Sequence, residues 1–158
     1  MRRTQLRTKE LNQQISQYDL EFSKKDQVEL VETENNKLIL INKQPSFFYY
    51  IPSSTTNQIL VPTLKLLQTH PNILKTITID MNAIKFIING ADIMRPGIVE
   101  IQDRIQKDEP ILIIDQTHKK PLAIGISLLN TEELRTTTSG KVIKNIHHVG
   151  DELWNFKI

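Results

Sequence analysis

The residue sets in this chain that have the types needed for catalysis fail on spacing. Thr138-Ser139-Gly140-Lys141 has the form of the end of a phosphate-cradling loop, but Arg135 replaces the required earlier glycine and Val142 replaces the hydroxyl that would hold magnesium. Gly125-Ile126-Ser127-Leu128-Leu129 lacks the second glycine that lets a nucleophilic serine turn sharply out of a strand. His147-His148 falls in a β-branched run, where successive side chains point to opposite faces, so the two rings do not chelate one metal together. Asp108-Glu109 and Glu132-Glu133 read as solvated or helix-capping charges and not as an acid/base pair. There is no cysteine, which excludes disulfides and thiolate metal sites. The expectation is a protein that is not an enzyme and uses no metal or cofactor.

The stretch from Asp80 to Ile98 suits binding instead. Ala83, Ile84, Ile87 and Ile88 share one face of a short helix, and Asn82, Lys85 and Asn89 lie off it. Gly90 stands where the end of a helix needs a left-handed residue, and Pro96 fixes the backbone before Gly97 relaxes it into a strand. An exposed backbone flanked by Lys85 and Arg95 can receive phosphate and base edges, because amides donate and cations attract. The same grammar also describes a plain helix-to-strand connector.

Elements on either side must position this loop. Leu11, Ile15 and Tyr18 predict a first helix over about residues 8–18, with Arg2, Arg3, Arg7 and Lys9 in a solvated arm before or within it. Val28 to Val31 and Leu38 to Ile41 read as a hairpin around Asn35-Asn36. Phe47-Phe48-Tyr49-Tyr50-Ile51 reads as a strand with aromatics on both faces, a pattern of cores more than of base-stacking platforms. Pro62 opens a helix carrying Leu64, Leu66 and Leu67 that ends at His70-Pro71, and a domain boundary follows near Leu74 to Thr76. Beyond it, strands are predicted at Thr76 to Ile79, Gly97 to Ile101, Pro110 to Ile114, Leu122 to Leu128, Val142 to His148 and Leu153 to Lys157, with one helical turn at Thr131 to Leu134. Five or six short strands in so small a region are best satisfied by a small barrel, with Trp154 as a plug in its last strand.

Composition limits the partners. The 158 residues are 39% hydrophobic and 24% charged, as in an ordinary globular protein, and the net charge of +2 is too small for a general nucleic-acid coat. Residues 1–76 hold 10 basic against 7 acidic groups, whereas residues 77–158 hold 10 against 11. Any RNA surface on the second half is therefore a patch of arranged cations. No run approaches the ~18 apolar residues of a membrane span and no signal-peptide core follows Met1, so the expected compartment is the cytoplasm.

Pro62-Thr63-Leu64-Lys65-Leu66-Leu67, His70-Pro71, Ala83-Ile84-Lys85-Phe86, Gly90-Ala91-Asp92-Ile93-Met94-Arg95-Pro96-Gly97 and Asn145-Ile146-His147-His148-Val149-Gly150-Asp151-Glu152-Leu153-Trp154 together resemble the malignant T-cell-amplified sequence family, which also takes in archaeal relatives and the longer ligatin. The resemblance runs from about Val61 to the C-terminus and is weak before that. It implies an α+β fold, an N-terminal mixed α/β pre-PUA domain (residues 1–75) packed on a C-terminal PUA-like small β-barrel (residues 76–158) that binds RNA. Carried over position by position, it marks Lys85, Asn89, Gly90, Ala91, Asp92, Met94, Arg95, Pro96 and Gly97 as the RNA-contacting helix and loop. Lys119 and Lys120 on a hairpin tip, and Lys141 and Lys144 beside the Gly140 turn, border the same surface in this reading. The resemblance further implies rRNA or tRNA as ligand, the small ribosomal subunit as the place of action, and a partner with an initiation-factor-like domain. Two other roles fit the same residues: an accessory RNA-binding module for a tRNA- or rRNA-modifying enzyme, and a protein-interaction adaptor.

Overall fold

The computed structural model describes residues 1–157 and divides into two compact units, Met1–Ile73 with the C-terminal residues from Phe156, and Leu74–Asn155. The first unit is an antiparallel sheet of β1 (Arg2–Leu6), β2 (Val28–Glu32), β3 (Lys37–Ile41), β4 (Gln44–Tyr50) and β5 (Ile59–Pro62), paired in that order. It carries α1 (Thr8–Gln14), followed by a 3-10 turn at Ser16–Tyr18, and α2 (Leu64–Thr69). Leu11, Ile15 and Tyr18 are buried, as their spacing predicts, but the helix breaks after Gln14 and closes with Asp19 in a left-handed conformation.

Two expectations for this unit are corrected. The solvated arm is exposed as expected, but Arg2–Leu6 is a strand: it pairs residue for residue with β2, and Arg3 reaches the Glu29 carboxylate at 2.7 Å. Four of its five residues are polar or charged and carry little hydrophobic signal, so only the partner strand makes this segment a strand. Pro62 does not open α2 but ends β5, and Thr63 is the cap, its side chain accepting from the Leu66 amide at 3.1 Å. The aromatic run in β4 is core: Phe47 and Phe48 are buried, Tyr18 stacks on Phe47, Phe22 meets it edge-on, and the Tyr18 hydroxyl donates to the Leu60 carbonyl.

The second unit is a mixed sheet of β6 (Lys75–Ile79), β7 (Ile93–Met94), β8 (Ile98–Ile101), β9 (Pro110–Asp115), β10 (Pro121–Ser127) and β11 (Lys141–His148), in the order β7-β11-β10-β9-β6-β8. Its single parallel pair is β6 with β9. The sheet curls around a core that includes Ile77, Ile79, Ile87, Ile111, Ile113 and Ile143. Its two edge strands, β7 and β8, are not paired to each other but are joined through the turn Arg95–Gly97. The expected barrel is thus a half-barrel, with its two edges linked by that turn and not by a strand ladder.

Helix α3 (Ile84–Ile87) follows a 3-10 turn at Met81–Ala83, and α4 (Thr131–Thr136) begins with a capping box between Asn130 and Glu133. The strand expected at Leu153 to Lys157 is not formed. Asp151 turns the chain instead, its carboxylate accepting from the amides of His148 and Trp154 and from Nδ1 of the buried His147 at 2.9 Å. Trp154 is consequently half-buried on this turn and Leu153 is the residue that enters the interior. No helix among the described residues is long and apolar enough to cross a membrane.

Burial alone would raise the Asp151 carboxyl, but the hydrogen bond and charge of His147 and the two amides outweigh it and hold it below the ordinary carboxylate range. A depressed folded value contributes stability above the unfolded value of 3.8, and that contribution is lost as pH falls through the folded value. Asp151→Asn is expected to cost about 1.5–3 kcal/mol at neutral pH, the range for hydrogen bonds to a charged group. It should also flatten the fall of urea-unfolding stability below pH 4; a variant as acid-sensitive as the parent would contradict the assignment.

Candidate nucleic-acid interface

The loop after α3 is built as the spacing predicts. Asp80 caps the preceding turn by accepting from the Asn82 amide at 2.7 Å. At the far end Gly90 takes φ +95, its amide reaches the Ile87 carbonyl, and the Ala91 amide reaches that of Phe86. These are the two bonds of a Schellman termination. Asn89 uses its side chain locally, donating to the Lys85 carbonyl at 2.7 Å.

Between α3 and the Arg95–Gly97 turn lies a cleft of about 770 Å³ along the barrel seam. Its walls are mainly apolar, with Ala83, Phe86, Ile87, Ile93, Met94 and Pro96 among them, and Asp80, Asn82, Asp92 and Lys141 supply polar groups. Of the seven large apolar side chains exposed among the described residues, five fall between residues 81 and 99: Met81, Phe86, Ile88, Met94 and Val99. Concentration of exposed apolar surface in so short a stretch marks a contact surface. Phe86 is 58% exposed and Met94 50%. The expected apolar face of α3 is therefore only partly buried: Ile87 is inside, Ala83 and Ile84 are intermediate, and Ile88 is at the surface.

The expected cations differ in how they are held. Lys85 is exposed with its ammonium 5.1 Å from the Phe86 ring centroid. Lys141 lines the cleft and Lys144 lies beside it, but both face Asp92, at 3.5 and 3.7 Å. Arg95 points back into the fold: its Nε donates to the Leu134 carbonyl at 2.6 Å, Nη1 to that of Ile98 at 3.3 Å, and its amide to that of Gly140. Lys119 pairs with Glu100 at 3.7 Å on the β9–β10 hairpin tip; Lys120 next to it is exposed, and neither lines the cleft. Gly90 and Ala91 are exposed, and Pro96 and Gly97 form the opposite lip.

Asp92 is more anchor than ligand. Its Oδ1 accepts from the Asn145 amide at 2.9 Å, while the Asn145 side chain donates to the carbonyls of Ile87 and Ala91, both at 3.0 Å. The loop is thus stitched to β11 from both sides. Asp92→Asn keeps the acceptor and removes the charge that holds two lysines. It is expected to tighten binding of a polyanion about 2- to 10-fold at low salt, on the order of one released cation; weaker binding would instead make Asp92 a direct contact.

Phe86, Asn145 and His148 are absent from the set of site residues that sequence spacing picks out. Phe86 lies off the face shared by Ala83, Ile84, Ile87 and Ile88, which was the available signal. Asn145 sits in a strand at no diagnostic spacing, and His148 is revealed only because a β-carbon added at Gly90 would come within 3.4 Å of its Nε2.

Residues 75–149 match the PUA domain and residues 6–70 match a domain of unknown function, DUF1947. The chain is 40% identical to an uncharacterized protein of Methanocaldococcus jannaschii over 94% of its length and 88% of that protein's. It is 33% identical to translation machinery-associated protein 20 of Saccharomyces cerevisiae over 85% and 75%, and 32% identical to a malignant T-cell-amplified sequence 1 homolog of Dictyostelium discoideum over 84% and 73%. A crystal structure of a hypothetical protein from Pyrococcus horikoshii superposes with a TM-score of 0.77, at 27% identity, over 97% of this chain and 98% of that one.

Proposed function

We propose that this chain, which belongs to the family of translation machinery-associated protein 20 and malignant T-cell-amplified sequence 1, is a noncatalytic RNA-binding protein of the cytoplasmic translation apparatus. The observation that carries the reading is the seam cleft, an apolar slot with an exposed aromatic at one lip and lysines at its margin. Every nucleobase has a π-face, so an aromatic beside an apolar slot accepts an unstacked base, and Lys85 and Lys141 lie where the adjoining phosphates would pass. Arg95 acts in this reading as a positioning residue, holding the Pro96–Gly97 lip through its bonds to Leu134 and Ile98.

The target is structured RNA, either rRNA of the small ribosomal subunit or tRNA, and a protein with an initiation-factor-like domain is the expected companion. The deciding experiment is cosedimentation with purified small ribosomal subunits in competition with free tRNA. Retention on the subunit supports a translation factor, and retention on tRNA alone favours a role beside an RNA-modifying enzyme. Binding to neither, with no salt dependence toward any RNA, would overturn the reading.

A further inference from the structure

The chain has three methionines and no cysteine, so thioether sulfurs are its softest and most readily oxidised groups. Methionine is among the residue types most often fully buried, yet none of the three is in the interior. Met1 is 75% exposed, Met94 50% and Met81 38%. The buried apolar residues of both units are mainly leucine, isoleucine and valine instead. An oxidant therefore meets every sulfur of this protein at the surface, where a polar product leaves the packing of the core intact.

Two of these sulfurs belong to the stretch that forms the cleft. Met81 begins the 3-10 turn before α3, and Met94 is itself a wall of the cleft, as Phe86 is. Met94 stands in β7 paired with Lys141 of β11, which lines the same cleft. The residue after it is fixed by the Arg95 amide on the Gly140 carbonyl and by the Arg95 side chain on the carbonyls of Leu134 and Ile98. The thioether is thus presented from a held strand and not from a loose loop. One oxygen added to it converts an apolar wall into a sulfoxide, a strong acceptor that an apolar slot leaves without a partner. No charge changes.

We infer that Met94 is a reversible oxidation site through which peroxide lowers the affinity of the cleft for RNA, an inference that rests on the RNA reading of that cleft. The Met94 sulfur donates a lone pair to one oxygen of hydrogen peroxide. The S–O bond forms as the O–O bond breaks, and the departing hydroxide takes the proton from the transferred oxygen and leaves as water. Sulfur is oxidised by two electrons and the peroxide is reduced by the same two. The return step takes its electrons from a pair of thiols, which become a disulfide while the oxygen leaves as water.

The test treats the full chain with hydrogen peroxide and follows oxygen gain at each methionine by peptide mass spectrometry. Binding of a fluorescein-labelled single-stranded oligouridylate and, separately, of bulk tRNA is then measured from about 50 to 200 mM salt. Met94 is expected to oxidise alongside Met1, and affinity to fall about 5- to 10-fold, the effect of facing an apolar contact with an unpaired polar group. The slope of the salt dependence should not change, because no charge is gained or lost. The unfolding midpoint should barely move, because no oxidised side chain is in the core. Methionine sulfoxide reductases, one for each sulfoxide epimer, should restore the affinity. Met94→Leu, compared with itself before and after peroxide, should lose nothing, whereas Met81→Leu should lose as much as the parent does. A peroxide-induced loss in Met94→Leu equal to the parent's, full affinity in a chain oxidised at Met94, a lowered slope, or a Met94 left intact once Met1 is consumed each overturns this inference alone. A parent chain that binds neither RNA before treatment overturns the RNA reading, and this inference with it.

Discussion

Replacing Gly125 with alanine is expected to destabilise the second unit by about 2–3 kcal/mol, near the upper end of the cost of overpacking a filled core. A β-carbon at this position would sit 2.4 Å from Cγ2 of Ile143 and 3.0 Å from the carbonyl oxygen of Lys144. The first contact is with a side chain that is itself fully buried, and the second is with backbone, so neither can yield cheaply. Gly125 lies at the irregularity in the β10–β11 pairing, where the register shifts between Ile124 and Gly125. The glycine therefore serves close approach of two strands and has no part in a nucleophile turn. Urea unfolding checks the value, and Ile143→Ala supplies the control. That substitution alone should cost about 2–5 kcal/mol through the cavity it leaves. Combined with Gly125→Ala it should cost less than the two added together, because it deletes the clashing methyl; strict additivity would mean the contact is not the cause.

Phe86→Ala is expected to weaken RNA binding about 5- to 150-fold, the equivalent of the ~1–3 kcal/mol that a base–aromatic stack contributes. The ring is 58% exposed, so its removal should barely move the unfolding midpoint, in contrast to Ile87→Ala one residue away, which opens a core cavity. Phe86→Leu distinguishes stacking from simple apolar contact: it keeps most of the hydrophobic area but has no π-face, and should bind RNA nearly as poorly as the alanine variant. Phe86→Trp should bind as well as the parent. Wild-type affinity in Phe86→Ala would remove the cleft from the RNA-binding reading, whatever happened to the lysines.

Local grammar in this chain is legible where a few neighbouring residues determine the backbone. Gly90 ends its helix as read from its place after an apolar face, the Val28 and Leu38 runs pair as a hairpin, and the runs at Pro110, Leu122 and Val142 are strands. Family membership follows from the same blocks, because their order and spacing are properties of the chain alone. The absence of a Walker loop or nucleophile elbow is likewise a property of spacing.

What depends on distant partners was decided only in three dimensions. Arg2–Leu6 became a strand because β2 offered an edge, and Leu153 onward became a turn because the Asp151 carboxylate collected His147 and two amides. Arg95 and Lys85 read alike as flanking cations, yet one is turned into the seam by carbonyls of Leu134 and Ile98 and the other stays in solvent. Asp92 lies 49 and 52 positions from the lysines it holds, a pairing no local pattern encodes. Periodicity tells which side chains share a face, but not whether anything covers it. Ile88 shares a face with the buried Ile87 and is nevertheless exposed, and the exposed Phe86 becomes a wall of a cleft only because Met94 and Pro96 come to lie opposite it.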